Sequence, residues 1–221
     1  MTRPLKELTN AARRLATGDT SVQLECDSDD EIGELSVVFN ETVLKIRDYM
    51  SYVNSLAYRD GLTGIKNRTA FIESAAKMNK KIEETPYNTE FAVLVADVNG
   101  LKKANDIYGH DIGNKLLKAV SQALCDTFKR SPVFRIGGDE FVVILENSDY
   151  AKYKTLIKDF DAICQKTYVD LENDKLPVMV ARGISIYYPG SDKCFDDVSK
   201  RADREMYIHK ELMKRANGES R

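Results

Sequence analysis

Val133-Phe134-Arg135-Ile136-Gly137-Gly138-Asp139-Glu140-Phe141-Val142-Val143-Ile144-Leu145 is the stretch on which the fold turns. Its two ends, 133–136 and 141–145, are rich in β-branched and aromatic residues and flank a short acidic turn. They read as two strands of an antiparallel hairpin. A tight hairpin is expected to need glycine at its positive-φ positions, and glycine also leaves room for a phosphate. Upstream, Phe91-Ala92-Val93-Leu94-Val95-Ala96 is an unbroken apolar run of strand length ending at Asp97, the pattern of a strand covered on both faces. Working outward, Asn67 can cap a helix running to about 83, and further helices are expected over about 113–129, 150–168 and 198–215, with a strand over 178–187. The order α-β-α-β-β-α-β-α predicts an α/β (α+β) domain, an antiparallel-containing sheet with helices against it.

The amino-terminal segment has a different period. Leu5, Leu8, Ala12 and Leu15 step by three and four, which predicts a short amphipathic helix stopped at Gly18-Asp19. Ser21-Val22-Gln23-Leu24 reads as an extended connector, and Ser28-Asp29-Asp30-Glu31 supplies N-cap chemistry for a second helix, with Glu31 three residues after Ser28 as in a capping box. In that helix Ile32, Leu35, Phe39, Thr42, Ile46, Tyr49, Val53 and Leu56 keep a heptad seam. So narrow a stripe predicts a parallel coiled-coil homodimer, the alternative being a helix docked on its own domain.

Of the 221 residues, 43% are hydrophobic and 31% charged, which suits a full catalytic-sized domain with a small accessory segment. A formal net charge of -2 lacks the basic excess of a binder of nucleic-acid polymer, so a nucleotide is expected as a small molecule. Cys26, Cys125, Cys164 and Cys194 lie far apart with no C-x-x-C pair, which fits a reduced cytoplasmic setting and argues against a zinc site. No apolar run reaches bilayer-spanning length.

Asp97 at a strand end and Asp139 and Glu140 on the turn are three acidic groups that repel one another unless a cation joins them. Hard oxygen ligands suit Mg²⁺ or Mn²⁺ with nucleotide phosphates completing the shell, which predicts metal-assisted phosphoryl transfer. Spacing alone leaves an ordinary acidic hairpin in solvent as an equal reading. His110 and His209 have no second ligand at metal spacing and read as structural.

Arg135-Ile136-Gly137-Gly138-Asp139-Glu140-Phe141 resembles the signature of the GGDEF family, the diguanylate cyclases. Asp60-Gly61-Leu62-Thr63-Gly64-Ile65-Lys66-Asn67-Arg68, Asp97-Val98-Asn99-Gly100-Leu101-Lys102, Asn105-Asp106-Ile107-Tyr108-Gly109-His110-Asp111-Ile112-Gly113 and Ala202-Asp203-Arg204-Glu205-Met206-Tyr207-Ile208-His209-Lys210 follow in the family's order. The resemblance implies a ferredoxin-like palm of the nucleotidyl cyclase type that condenses two GTP into cyclic di-GMP with release of pyrophosphate. It implies Asp97, the Val98 carbonyl, Asp139 and Glu140 as ligands of Mg²⁺ or Mn²⁺, with Asp139, Glu140, Lys102 and Arg135 catalytic. Lys102, Arg135 and Lys210 would contact phosphates, and Asn105 and Asn114 the base. Arg3-Pro4-Leu5-Lys6-Glu7-Leu8 and Asp30-Glu31-Ile32-Gly33-Glu34-Leu35 resemble a HAMP signalling module, which implies the cytoplasmic part of a receptor tethered to the inner membrane. The expected division is a HAMP-like module at 1–50, a coiled-coil linker at 51–60 and a GGDEF domain at 61–221.

The chain departs from the family pattern in three places. Asn114 stands where the family has an aspartate, so one of guanine's two edge donors loses a carboxylate acceptor, and relaxed purine selectivity is expected. Phe128-Lys129-Arg130-Ser131 replaces the R-x-x-D product site, so feedback through it is not expected. Lys214 stands in for an arginine after Lys210. A competing reading is a catalytically silent domain that binds GTP or a partner protein.

Overall fold

The computed structural model describes residues 3–25, 30–172 and 174–216. The chain divides into two compact units, Met1–Ala57 and Tyr58–Arg221. Among the described residues no helix is long and apolar enough to cross a membrane.

The first unit holds helix α1 (Arg3–Ala16) and helix α2 (Glu31–Tyr58), whose last residue opens the second unit. α1 stops where Gly18 takes φ 90° and the amides of Gly18 and Asp19 close on the carbonyls of Leu15 and Arg14. The Ser28 part of the expected cap lies outside the described residues. Asp30 caps α2, its Oδ1 accepting from the amides of Ile32 at 3.0 Å and Gly33 at 3.1 Å. The connector lies along α2: Leu24 and Asn40 exchange two hydrogen bonds of 2.9 Å, and Val22 and Val43 are buried. Gly33, Ser36, Asn40 and Val43 form this covered stripe. The heptad seam lies one residue away, about 100° round the helix. Along it Ile32 and Phe39 are half-buried, while Leu35, Thr42, Ile46, Val53, Tyr49 (69% exposed) and Leu56 (64%) face outward in the single chain.

The second unit is built on a four-stranded sheet of order β2-β3-β1-β6, antiparallel throughout. Its strands are β1 (Ala92–Val98), β2 (Val133–Arg135), β3 (Glu140–Leu145) and β6 (Val180–Ile186), and β4 (Tyr168–Asp170) pairs with β5 (Lys175–Pro177) in a separate hairpin. The helices are α3 (Arg68–Glu84), α4 (Leu101–Tyr108), α5 (His110–Thr127), α6 (Asn147–Ala151), α7 (Tyr153–Lys166) and α8 (Phe195–Ala216). Asn67 caps α3 as expected, accepting from the amide of Ala70 at 3.1 Å.

Strand alternation sorts the core into two layers. Ala92, Leu94, Ala96 and Val98 of β1, with Phe141, Val143 and Leu145 of β3, join the cluster that takes in α5 and α7. Val93 and Val95, with Val142 and Ile144, join the cluster that takes in α3 and α8. α8 lies directly on β6 at Gly183, where an added Cβ would sit 2.1 Å from the Ala202 carbonyl oxygen and 2.2 Å from the Met206 nitrogen. Glycine there sets how closely α8 approaches the sheet.

Several boundaries differ from the expected ones. β1 runs on through Asp97 to Val98, because Asp97 is paired on both sides, with Glu140 and with Ala181. α4 was not expected from periodicity: it has eight residues, bracketed by glycines, too short for a repeating stripe. The single helix expected over 150–168 is divided at Lys152 into α6 and α7, and its last residue, Tyr168, belongs to β4.

Candidate active site

The site grows out of the pairing of β1 with β3. Asp97 and Glu140 are direct cross-strand partners, so both side chains leave the same face of the sheet, the face covered by α8. The amide of Val98 donates to the Asp139 carbonyl at 3.0 Å, which ties the hairpin to the end of β1. Asp97 is 5% exposed, Asp139 half-buried and Glu140 exposed.

The turn between the strands is not of the positive-φ kind expected for its glycines, since neither Gly137 nor Gly138 lies in the left-handed region. Gly137 sits in a close approach instead: a Cβ there would meet Glu140 Oε2 at 2.7 Å and displace that carboxylate. The glycine makes room for the carboxylate.

Charge crowds at this point. Partial burial raises the Glu140 carboxyl above its ordinary value, the charges of Asp139, Asp97 and Asp203 push it the same way, and Lys210 opposes them. Asp203 is a fourth carboxylate to which the sequence reading gave no role. Its signal was its position on α8 seven residues before Lys210, two turns along one helical face. The Lys210 ammonium donates to Asp97 Oδ2 at 2.8 Å and lies 2.7 Å from Oδ1, off the hydrogen-bonding direction. Asp97 Oδ1 is therefore close to a positive charge yet buried with no hydrogen bond.

Such an orphaned buried oxygen beside like-charged neighbours has the chemistry of a ligand to a hard divalent cation, with Glu140 as the cross-strand neighbour of Asp97 and Asp139 next to it. The cluster is open: among the described residues no three His, Cys, Asp or Glu side chains close round one point, and the cation that Asp97 holds is the ammonium of Lys210.

A cavity of about 310 Å³ adjoins the cluster, lined by Asn99, Gly100, Lys103, Lys210 and Lys214 with apolar walls that include Met213. Lys214 is paired with Glu211 at 2.8 Å. Lys102, Asn105 and Asn114 are not among its lining residues. Lys102 is exposed on α4, and Asn105 Oδ1 lies 1.9 Å from where a Cβ on Gly113 would be, against the first turn of α5 that carries Asn114. His209 accepts from the Arg182 amide at 3.1 Å, a structural contact.

Arg135 has other partners. Its guanidinium donates to both Asp60 oxygens at 3.0 and 3.2 Å and to the Gly138 carbonyl at 2.7 Å, so it joins the turn after α2 to the acidic hairpin. Burial alone would raise the Asp60 carboxyl, but the hydroxyl and amide of Thr63 and the Arg135 charge hold it below its ordinary value.

The sheet order, the helices on both faces and the acidic hairpin at the end of the central strands define the class, a ferredoxin-like palm domain of the nucleotidyl cyclase type. The chain belongs to the GGDEF family: the family model described as diguanylate cyclase, GGDEF domain, matches residues 57–216, and the HAMP domain model matches residues 1–48. It is 29% identical over 158 residues to the bifunctional diguanylate cyclase/cyclic di-GMP phosphodiesterase MucR of Pseudomonas aeruginosa, covering 71% of this chain and 22% of MucR. With diguanylate cyclase DosC of Escherichia coli K12 it shares 29% identity over 157 residues, covering 68% of this chain and 32% of DosC. The chain thus spans under a third of the length of either relative. Among solved structures it resembles the GGDEF domain of DgcB from Caulobacter crescentus in complex with c-di-GMP, at 25% identity and a TM-score of 0.61, covering 70% of this chain and 91% of that one.

Proposed function

We propose that the protein is a diguanylate cyclase that condenses two GTP into cyclic di-GMP and releases pyrophosphate. The observation that carries this reading is the cross-strand pair of Asp97 and Glu140, with Asp139 tied to the same strand end, beside a lysine-bordered cavity. MucR and DosC are both named as diguanylate cyclases, which supports the same activity here.

Asp97, the Val98 carbonyl, Asp139 and Glu140 would hold Mg²⁺ or Mn²⁺. Bound there, the ion supplies Lewis acidity towards the ribose 3′-hydroxyl and the α-phosphate and neutralises charge on the departing pyrophosphate. Lys102, Lys210 and Lys214 hold the triphosphate, helped by the amino terminus of α4 at Gly100. The 3′-oxygen of one nucleotide attacks the α-phosphorus of the other, and the bond to pyrophosphate breaks. Glu140, the cross-strand neighbour of Asp97, is the carboxylate assigned to take the hydroxyl proton. Arg135 acts through its neighbours, holding the hairpin by Asp60 and the Gly138 carbonyl. Asn105 and Asn114 read the base, with selectivity for guanine relaxed by the amide at 114.

One domain binds one nucleotide, so ring closure needs two domains face to face. The uncovered seam of α2 is suited to bring two chains together as a parallel coiled coil, and its packing would control the rate. The test is product identity: purified protein is incubated with GTP or ATP and Mg²⁺ and the products are resolved by chromatography. Cyclic di-GMP as the main product from GTP is expected; unchanged GTP would contradict the proposal.

A further inference from the structure

Lys210 borders two sites at once. Its ammonium is the counter-charge of Asp97, at 2.7 and 2.8 Å from the two carboxylate oxygens, and its side chain also lines the lysine-rich cavity next door. The Asp97 side chain is 7% exposed and the Lys210 side chain 28%, so the pair is shielded on the Asp97 side and open on the other. The close seating of α8 on Gly183 of β6 fixes the helix that carries Lys210 and leaves the ammonium the freer member of the pair.

A divalent cation at Asp97 and an ammonium on the same oxygens exclude each other by charge and by space. Moving the ammonium off leaves the buried Asp97 carboxylate uncompensated unless a cation takes its place, and the partly covered ammonium loses its counter-charge unless an anion receives it. The cavity beside it offers that anion a place: Lys103 and Lys214, the latter paired with Glu211, also line it, and no acidic side chain is among its lining residues.

We infer that Lys210 is a built-in counter-ion that keeps divalent metal off Asp97 until a triphosphate in the cavity draws the ammonium away, so that metal and nucleotide bind in strong positive synergy. The inference rests on the metal and triphosphate reading above and adds an order of assembly to it. In the nucleotide-free protein Lys210 takes the place of the ion; in the loaded protein it becomes a phosphate ligand. By thermodynamic reciprocity metal tightens nucleotide by the same factor that nucleotide tightens metal.

The experiment is Mn²⁺ binding to the full chain, followed by water-proton relaxation, which distinguishes protein-bound Mn²⁺ from Mn²⁺ chelated by free nucleotide. Wild type, Lys210→Met, Lys210→Gln and Lys210→Met/Asp97→Asn are compared without nucleotide and with 3′-deoxy-GTP, which cannot be cyclised. Without nucleotide, both single variants are expected to bind Mn²⁺ about tenfold or more tighter than wild type, and Asp97→Asn to abolish the gain. With 3′-deoxy-GTP, wild-type affinity for Mn²⁺ should rise by a similar factor and that of the variants by much less. Single variants that bind nucleotide-free Mn²⁺ no better than wild type, or wild type indifferent to 3′-deoxy-GTP, would overturn the inference. Wild type that takes up no Mn²⁺ even with 3′-deoxy-GTP would overturn the metal reading itself.

Discussion

Arg135 shows how a residue's place in a motif and its partners diverge. The motif suggests a phosphate contact, yet its guanidinium is committed to Asp60 and to the Gly138 carbonyl. No local spacing signals that partner, because Asp60 is 75 residues earlier and meets Arg135 only in the folded chain. Replacing Arg135 with alanine removes a partly buried charged pair and should cost about 1–3 kcal/mol of stability in chemical denaturation. The Asp60 carboxyl is held below 3.8, its ordinary value, so the stability it contributes is complete above that pH and is lost as pH falls through the folded value. The gap between wild type and Arg135→Ala should therefore be constant near neutrality and narrow in that acid range, as read from denaturation midpoints against pH. Asn114 is a change legible directly in the sequence. Asn114→Asp should restore a second acceptor for guanine and raise the GTP-over-ATP ratio of kcat/KM by about tenfold or more, measured in competition. Equal ratios would remove Asn114 from base reading.

At the scale of elements, the apolar run at 91–96 and the hairpin were legible because buried strands leave a continuous hydrophobic record. So were α1, α2, α3 and α8, whose stripes or caps repeat. α4 was not, since eight residues between Gly100 and Gly109 carry too little periodicity, and neither was the short hairpin of β4 and β5. The pairing that places Asp97 opposite Glu140 is a matter of register, which no single segment encodes. Gly183 is equally silent in sequence, yet it decides how near α8, and with it Lys210, comes to β1. Gly183→Val should push α8 outward, cost about 1–3 kcal/mol by overpacking and weaken nucleotide binding, checked by thermal unfolding and by titration with 3′-deoxy-GTP. A variant with unchanged stability and binding would show that α8 tolerates displacement.

For the molecule as a whole, the two units have different needs. The second buries its core on both faces of the sheet, whereas the first leaves Leu35, Ile46, Tyr49, Val53 and Leu56 exposed along one helix, with Phe39 half-buried among them. If that seam joins two chains, Phe39→Asp with Ile46→Asp should convert a dimer to a monomer in sedimentation and lower the cyclisation rate in parallel. A dimer and a rate that both survive would break the link between seam and catalysis. Asp97, Asp139 and Glu140 are assigned as the reacting centre, and the decisive measurement is the rate of cyclic di-GMP formation from GTP and Mg²⁺ in wild type, Asp97→Asn and Asp139→Ala, each shown to be folded by its unfolding transition. A loss of about 100-fold or more in both variants is the predicted result; folded variants that keep the wild-type rate would contradict it.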